Sequence, residues 1–206
     1  MRMKTYILLD RSGSMMTGWN ETVGALGAFI DGMKTHKKKA KIHLAAFDGV
    51  LEGVEYAKVF DGKRKDYRPK VLEAYPPRGN TPLYDAVAAL GKVIAADQPE
   101  KAQIVIITDG FENASKECNL DAAKAFIKAW EAKDFDVIYM GASFEGATQQ
   151  AAAMGIAAGQ TVNMTDKSTY AGTMSAMSTR NTSYAKGLVS NDDDLGDDIR
   201  DAADKT

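Results

Sequence analysis

The strongest constraint on the fold of this chain is a repeated alternation between short apolar runs and longer segments of helical periodicity. Continuous apolar runs of strand length occur at residues 6–9, 104–107 and 137–140. Such runs are typical of strands that are buried on both faces of a sheet. Between and after them, apolar residues recur every three or four positions, the period of an amphipathic helix. These helical segments are residues 23–33, 83–93 and 120–130. The alternation predicts an α/β fold built on a parallel sheet.

One pair of predicted strands departs from the parallel pattern. Residues 42–47 and 54–60 are separated by a short segment that contains Asp48-Gly49 and Glu52-Gly53. A short turn between two strands predicts a hairpin, and therefore one antiparallel edge strand.

The C-terminal part of the predicted domain is less regular. Residues 161–164 are consistent with one more short strand, preceded by a small helix over about 145–154. A last helix is expected to end near residue 187. Tyr170, Met174 and Met177 have helical spacing in it, and we interpret them as a face that packs on the sheet.

Composition excludes some classes of protein. A chain of 206 residues with 45% hydrophobic and 26% charged residues is long enough for one domain with a sizeable core. Its 26 basic and 28 acidic residues give a net charge of −2, without the basic background of a general nucleic-acid binder. Two basic runs, residues 34–41 and 63–70, are interpreted as solvated loops, so nucleic acid is not an expected partner.

The cellular location is predicted from cysteine content and from hydropathy. The single cysteine, Cys118, cannot form an internal disulfide, which is typical of a reducing compartment such as the cytoplasm. The N-terminal residues do not resemble a signal peptide. No run of about 18 apolar residues is present, so we expect a soluble, cytoplasmic chain with no membrane segment.

The last residues differ from the rest in charge. Residues 191–206 contain seven aspartates against Arg200 and Lys205, a net charge of −5, which leaves +3 for residues 1–190. Polar, highly charged segments bury little surface. We therefore expect a domain over residues 1–190 and a disordered or loosely docked acidic tail over 191–206, with folding of the tail over the basic runs as an alternative.

Three polar motifs follow predicted strands or precede a predicted helix. Asp10-Arg11-Ser12-Gly13-Ser14 follows the first buried strand, and Thr108-Asp109-Gly110 ends the strand at 104–107. The segment 78–83 places Thr81 and Pro82 directly before a helix, with Pro82 expected at the first helical position. Each motif alone is explained by turn or cap chemistry, since Asp, Ser and Thr are common there.

The three motifs together predict a metal site. The carboxyl ends of parallel strands open into one crevice, so the side chains are expected to converge. Two carboxylates and three hydroxyls, without Cys or His, favour a hard cation: Mg²⁺, with Mn²⁺ or Ca²⁺ as alternatives.

In order and position, these motifs resemble the metal-ion-dependent adhesion site of von Willebrand factor type A domains. The resemblance covers residues 3 to about 165 and implies a Rossmann-like three-layer sandwich with one antiparallel edge strand. It implies that Ser12, Ser14 and Thr81 supply hydroxyl oxygens, while Asp10 and Asp109 bind the metal directly or through water. The last coordination position is left for an Asp or Glu of a partner protein. Asn80 stands where the family often has a second glycine.

The resemblance predicts a metal-dependent protein-interaction module of the stand-alone bacterial or phage type, and not an enzyme. A Mg²⁺-dependent phosphatase is an alternative, because such enzymes also place an Asp after the first buried strand. Their usual second Asp is replaced here by Ser12, which is a poor proton donor. A scaffold protein with a structural metal, or with none, is the other alternative.

Other residues are weaker candidates. Residues 111–113 and 141–144 are expected either to line the rim of the crevice or to serve as turns. Trp19 could anchor a partner or pack in the core, and His36 and His43 are interpreted as a surface and a strand histidine.

Overall fold

A computed structural model describes residues 3–33, 40–50, 53–142 and 146–204. In these residues a six-stranded sheet has the order β3-β2-β1-β4-β5-β6, and only the β2–β3 pair is antiparallel. The strands are β1 (Met3–Asp10), β2 (Lys41–Val50), β3 (Gly53–Lys63), β4 (Lys101–Thr108), β5 (Asp136–Ala142) and β6 (Thr161–Met164). The helices are α1 (Trp19–Gly32), α2 (Leu83–Asp97), α3 (Leu120–Glu131), α4 (Ala147–Ala153), α5 (Tyr170–Ala185) and α6 (Asp197–Asp204). The predicted strands and the antiparallel edge are confirmed.

The helices form two layers, one on each face of the sheet. Alternate residues of β1 point to opposite faces: Ile7 and Leu9 pack with α1, α5 and α6, whereas Tyr6 and Leu8 pack with α2, α3 and α4. Both faces of the sheet are therefore covered by helices and buried, which explains the continuous apolar runs. The three-layer, Rossmann-like sandwich is confirmed.

The strand register places the polar motifs at one edge of the sheet. Asp10 is paired with Phe47 at the end of β2, and Leu9 is paired with Ile107 near the end of β4. The loops that follow β1 and β4 therefore leave the sheet side by side. We call this the carboxyl edge, after the ends of its parallel strands.

The C-terminal segment differs from the expected disordered tail. Leu195, Ile199 and Ala203 are buried against the layer formed by α1 and α5, and residues 197–204 form α6. These three residues are four positions apart, so one face of α6 is apolar although most of its residues are aspartate, arginine or alanine. The segment does not fold over the basic run at 63–70: its carbonyls at residues 190, 193 and 194 accept hydrogen bonds from Arg180 of α5.

The structure also bears on the start of α2, on the two histidines and on membrane-spanning helices. α2 begins at Leu83, one residue later than predicted, because Pro82 has a non-helical ψ of 66°. His43 is a buried strand histidine between Asp61 and Tyr56, and burial lowers its pKa despite the neighbouring Asp61 carboxylate. His36 and most of the first basic run lie outside the described residues. In the part of the chain that the structure describes, no helix combines the length and apolarity that a bilayer crossing requires.

Candidate metal centre

The first loop, residues 10–14, is organised around Asp10. The carboxylate is fully buried, and its Oδ1 accepts a hydrogen bond from the backbone N–H of Ser12 at 2.7 Å. Its Oδ2 accepts one from the hydroxyl of Thr108 at 2.6 Å, which joins the end of β1 to the end of β4. The hydroxyls of Ser12 and Ser14 lie 3.1 Å apart. The Asp10-x-Ser12-x-Ser14 motif therefore turns three oxygen-bearing side chains toward one region.

The second loop, residues 78–82, is tied to the first by backbone hydrogen bonds. Gly13 N–H donates to the Gly79 carbonyl at 3.0 Å, and Arg78 N–H donates to the Arg11 carbonyl at 2.7 Å. Gly79 has a φ of +67°, and a Cβ there would lie 2.1 Å from the carbonyl oxygen of Gly49. The loop conformation thus requires glycine at position 79, both for its backbone angle and for its contact with β2.

The third loop, residues 108–113, brings Asp109 to the same place. Ser14 Oγ donates a hydrogen bond to Asp109 Oδ1 at 2.5 Å. A Cβ at Gly110 would lie 3.8 Å from both Ser14 Oγ and Thr81 Oγ1, so this glycine faces the two hydroxyls. The structure therefore brings together all five residues predicted from the sequence. They are Asp10, Ser12, Ser14, Thr81 and Asp109.

Asn113 fixes the position of Thr81. The backbone N–H of Thr81 donates to Asn113 Oδ1 at 2.9 Å, and the Asn113 N–H donates to the Thr81 carbonyl at 3.1 Å. Glu112 accepts hydrogen bonds from the N–H groups of Tyr84, Ala114 and Ser115. Glu112 thus serves the loop itself, which was one of its two expected roles, and Asn113 is a positioning residue.

A partly buried ion cluster joins the first two loops to β2 and β3. Arg11, between Asp10 and Ser12 in the sequence, is almost fully buried and donates to Asp48 at 3.2 Å and to Glu55 at 2.9 Å. Arg78 donates to Asp48 at 2.6 Å and also pairs with Glu55. Two arginines and two carboxylates balance in charge. This cluster could not be predicted from the sequence, because its members come from four separate segments.

The electrostatics of the centre differ from those of this cluster. Burial raises the pKa of Asp10 to about 7, against the opposing effect of the hydrogen bonds from Thr108 and Ser12. Burial also raises the pKa of Asp109. None of the ion pairs among the described residues includes either carboxylate. Asp10 is fully buried, and a buried carboxylate is normally paired or bound to a metal, but none of the described cations fills that role.

The donor set fits a small divalent cation. Thr81 is almost fully buried as a residue, and the hydrogen bond to Asn113 that fixes it is made by its backbone N–H, so that contact does not use the hydroxyl. In the described part of the chain no three His, Cys, Asp or Glu side chains come together in a way that could hold a metal. A metal here would depend on hydroxyl oxygens as well as on the two carboxylates, as hard cations accept.

The remaining candidates have less connection with the centre. Trp19 is partly buried and packs against the core, in agreement with the packing alternative. Residues 143–145 lie outside the described residues. Whether Ser143 and Phe144 line the rim of the crevice or serve as turn residues therefore stays a prediction.

Comparison with known proteins identifies a family that agrees with this geometry. The family model described as "von Willebrand factor type A domain" matches residues 5–112, more than half of the chain. The chain belongs to the von Willebrand factor type A family. No curated protein sequence matches it significantly.

Solved structures of this fold superpose on most of the chain. The PilB minor pilin from Streptococcus sanguinis matches with a TM-score of 0.68 at 13% identity, over 88% of this chain and 61% of its own. The manganese-loaded TRAP protein of Plasmodium vivax matches with a TM-score of 0.61 at 15% identity, over 79% of this chain and 68% of its own. A von Willebrand factor type A protein from Catenulispora acidiphila matches with a TM-score of 0.62 at 17% identity, over 88% and 42%. At these identities the likeness concerns the fold, and the chain spans between 42% and 68% of the length of these three proteins.

Proposed function

We propose that this chain is a divalent-metal-dependent protein-interaction module. Asp10, Ser12, Ser14, Thr81 and Asp109 would hold Mg²⁺, with Mn²⁺ or Ca²⁺ as alternatives, and an Asp or Glu of a partner protein would complete the coordination. The observation that carries the proposal is that the carboxylates of Asp10 and Asp109 accept hydrogen bonds from hydroxyls and form no ion pair with a described cation.

The charge of the donor set suits capture of an anion. Three of the five proposed ligands are neutral hydroxyls, and a carboxylate that holds the ion through water lies farther from it than a direct ligand. The ion would therefore keep an attraction for a further anion. Such an ion, when bound, supplies positive charge at an otherwise acidic edge. A carboxylate arriving from a partner would find a strong electrostatic contact there, of the kind that dominates small interfaces.

The contacts of Asp10 favour binding over catalysis. Both of its carboxylate oxygens are engaged, by Ser12 N–H and by the Thr108 hydroxyl, and the side chain is fully buried. A phosphatase nucleophile has to attack its substrate directly with one of those oxygens, whereas a carboxylate of a metal site can also act through a bound water. The family membership and the fold likeness to a pilin and to manganese-loaded TRAP also support an interaction module. The cytoplasmic location and the bacterial or phage type stay predictions from the sequence.

The direct test is a calorimetric titration of Mg²⁺, and separately of Mn²⁺, into full-length protein that has been stripped with a chelator. We expect saturable binding with one site per chain, and a higher melting temperature with metal, because a ligand that binds only the folded state stabilises it. Lack of saturable binding with either ion would contradict the proposal and would favour the scaffold alternative.

Gly79→Ala is expected to weaken Mg²⁺ binding about 10- to 100-fold, as do other substitutions that displace supports of metal ligands. The added Cβ would lie 2.1 Å from the Gly49 carbonyl oxygen, so the loop that carries Thr81 must move. The measurement is the same titration, together with urea unfolding.

Gly187→Ala is the matched control for this loop. Gly187 also has a positive φ, +72°, but a Cβ there would have nothing within 4 Å. It should therefore show the backbone cost alone, about 1–2 kcal/mol of unfolding free energy, with unchanged Mg²⁺ affinity. Equal Mg²⁺ affinities of the two variants would show that the loop contact does not position the metal ligands.

A further inference from the structure

Among the residues that the structure describes, three of the four exposed large apolar side chains lie near the candidate metal centre in the chain. Met16 is two residues beyond Ser14 and is 66% exposed, and Phe111 is two residues beyond Asp109 and is 50% exposed. Val50, 39% exposed, follows Gly49. We call Met16, Val50 and Phe111 the apolar rim.

Backbone pairing places Val50 beside the second loop of the candidate metal centre. Gly49 and Asn80 exchange N–H to carbonyl hydrogen bonds of 2.8 and 3.0 Å, and Asn80 directly precedes Thr81. Each member of the rim thus lies within a few residues of a predicted metal ligand or of its backbone partner. Among the described residues one further large apolar side chain is exposed, Leu188, which lies at the opposite edge beside Lys101, the first residue of β4. Exposed apolar residues are normally scattered, so their grouping around one site points to a binding surface.

An open groove of about 790 Å³ runs from the rim along the second loop. Gly49, Val50 and Ala114 give it apolar walls, and its volume is in the range of pockets that hold a few side chains. The charged residues that line it, Arg78 and Lys116, are both cationic, and no described acidic side chain lines it. A segment that carries a negative charge therefore meets no like charge in this groove.

We infer that the occupant of this surface is a segment of a partner protein in which the metal-binding Asp or Glu has a large apolar side chain one or two positions away. The inference rests on the proposed function, because the metal places the acidic residue. An extended segment advances about 3.3 Å per residue, so neighbours of the captured residue reach the rim and the groove. Their apolar surface would be removed from water there, whereas an acidic cluster would leave the rim exposed.

Peptide display on the full-length chain tests this inference. Random displayed peptides are selected on immobilised protein in Mg²⁺ and released with a chelator. We expect the released sequences to share an Asp or Glu with a large apolar residue within two positions. A synthetic copy of the strongest binder should bind about tenfold more weakly after its apolar neighbours are replaced by serine, a change that fluorescence polarisation measures.

Variants of the protein supply the second arm. Met16→Ser and Val50→Ser, alone and together, should weaken binding of the selected peptide, whereas Leu188→Ser should bind it like the wild type. Magnesium titration of each variant shows whether the metal is still bound. Released peptides with an acidic residue but no apolar neighbour would overturn the inference without contradicting the proposed function. The same holds if the rim variants bind the selected peptide as tightly as Leu188→Ser does. A lack of chelator-released acidic peptides would overturn both.

Discussion

Asp10→Ala is expected to abolish Mg²⁺ binding in the calorimetric titration, and with it the rise in melting temperature that metal causes. The carboxylate is the most buried of the predicted ligands, and it holds Ser12 N–H and the Thr108 hydroxyl at 2.7 and 2.6 Å. Alanine removes the charge that balances the cation and leaves both donors without their acceptor. Such a loss costs about 1–3 kcal/mol for each buried group, so this variant also tests the folding of the first loop.

Asp10→Asn separates the role of the charge from the role of the hydrogen bonds. The amide oxygen can accept from Ser12 N–H, and the amide N–H₂ can donate to the Thr108 hydroxyl, which also lies 3.3 Å from the Gly110 carbonyl. We expect a folded variant that does not bind Mg²⁺. Burial raises the pKa of Asp10 to about 7 in the metal-free protein, so an uncharged side chain there should not reduce stability near neutral pH. Wild-type Mg²⁺ affinity in Asp10→Asn would show that Asp10 is not part of a metal site.

The location of the centre could be predicted from the sequence because a parallel sheet brings its strand ends together. Asp10 and Asp109 are far apart in the chain, but each directly follows an apolar run of strand length. Once both runs are assigned to neighbouring strands, the two carboxylates must meet at the carboxyl edge. The hydroxyls of Ser12 and Ser14 follow from the same loop.

The supports of the centre could not be predicted in the same way. Arg11 lies between Asp10 and Ser12, at a position of the motif for which the sequence predicts no role. The fold nevertheless buries its guanidinium against Asp48 and Glu55. Asp48 reads as a turn residue of the hairpin. Only the tertiary structure shows that these charges compensate one another, since ion pairing between distant segments leaves no periodic pattern.

The docking of the acidic segment could not be predicted from its composition, because its net charge conceals the spacing of its few apolar residues. Leu195, Ile199 and Ala203 are spaced like the buried face of a helix, but they lie among seven aspartates. Three apolar side chains are enough to dock a short helix when a neighbouring polar group also holds its backbone. That group is Arg180, whose burial no pattern in the sequence indicates.

Arg180→Met is expected to lower the free energy of unfolding by about 3–5 kcal/mol, as happens when one partner of a buried ion pair is removed. The Arg180 guanidinium is almost fully buried and donates to Asp136 Oδ1 at 2.7 Å, and Asp136 is fully buried beneath it. It also donates to the carbonyls of Asp193 and Asp194 at 3.0 and 3.1 Å. The substitution therefore strands a carboxylate and releases the segment before α6. Urea unfolding measures the first effect, and hydrogen exchange of residues 191–204 measures the second.

Two controls decide whether the stranded charge is the cause. Arg200→Met removes an exposed arginine whose partner, Asp194, is also exposed, so it should change the unfolding free energy little, since solvent screens such pairs. The double variant Arg180→Met/Asp136→Leu replaces both buried charges by apolar side chains, and such replacements are often neutral. It should therefore recover part of the stability that Arg180→Met loses, although the buried Gln103 amide then loses the acceptor that Asp136 Oδ2 supplies at 2.8 Å. Exchange in residues 191–204 should stay fast because the carbonyls still lack their donor. If Arg180→Met were no less stable than Arg200→Met, the buried pair could not be what holds the C-terminal segment on the sheet.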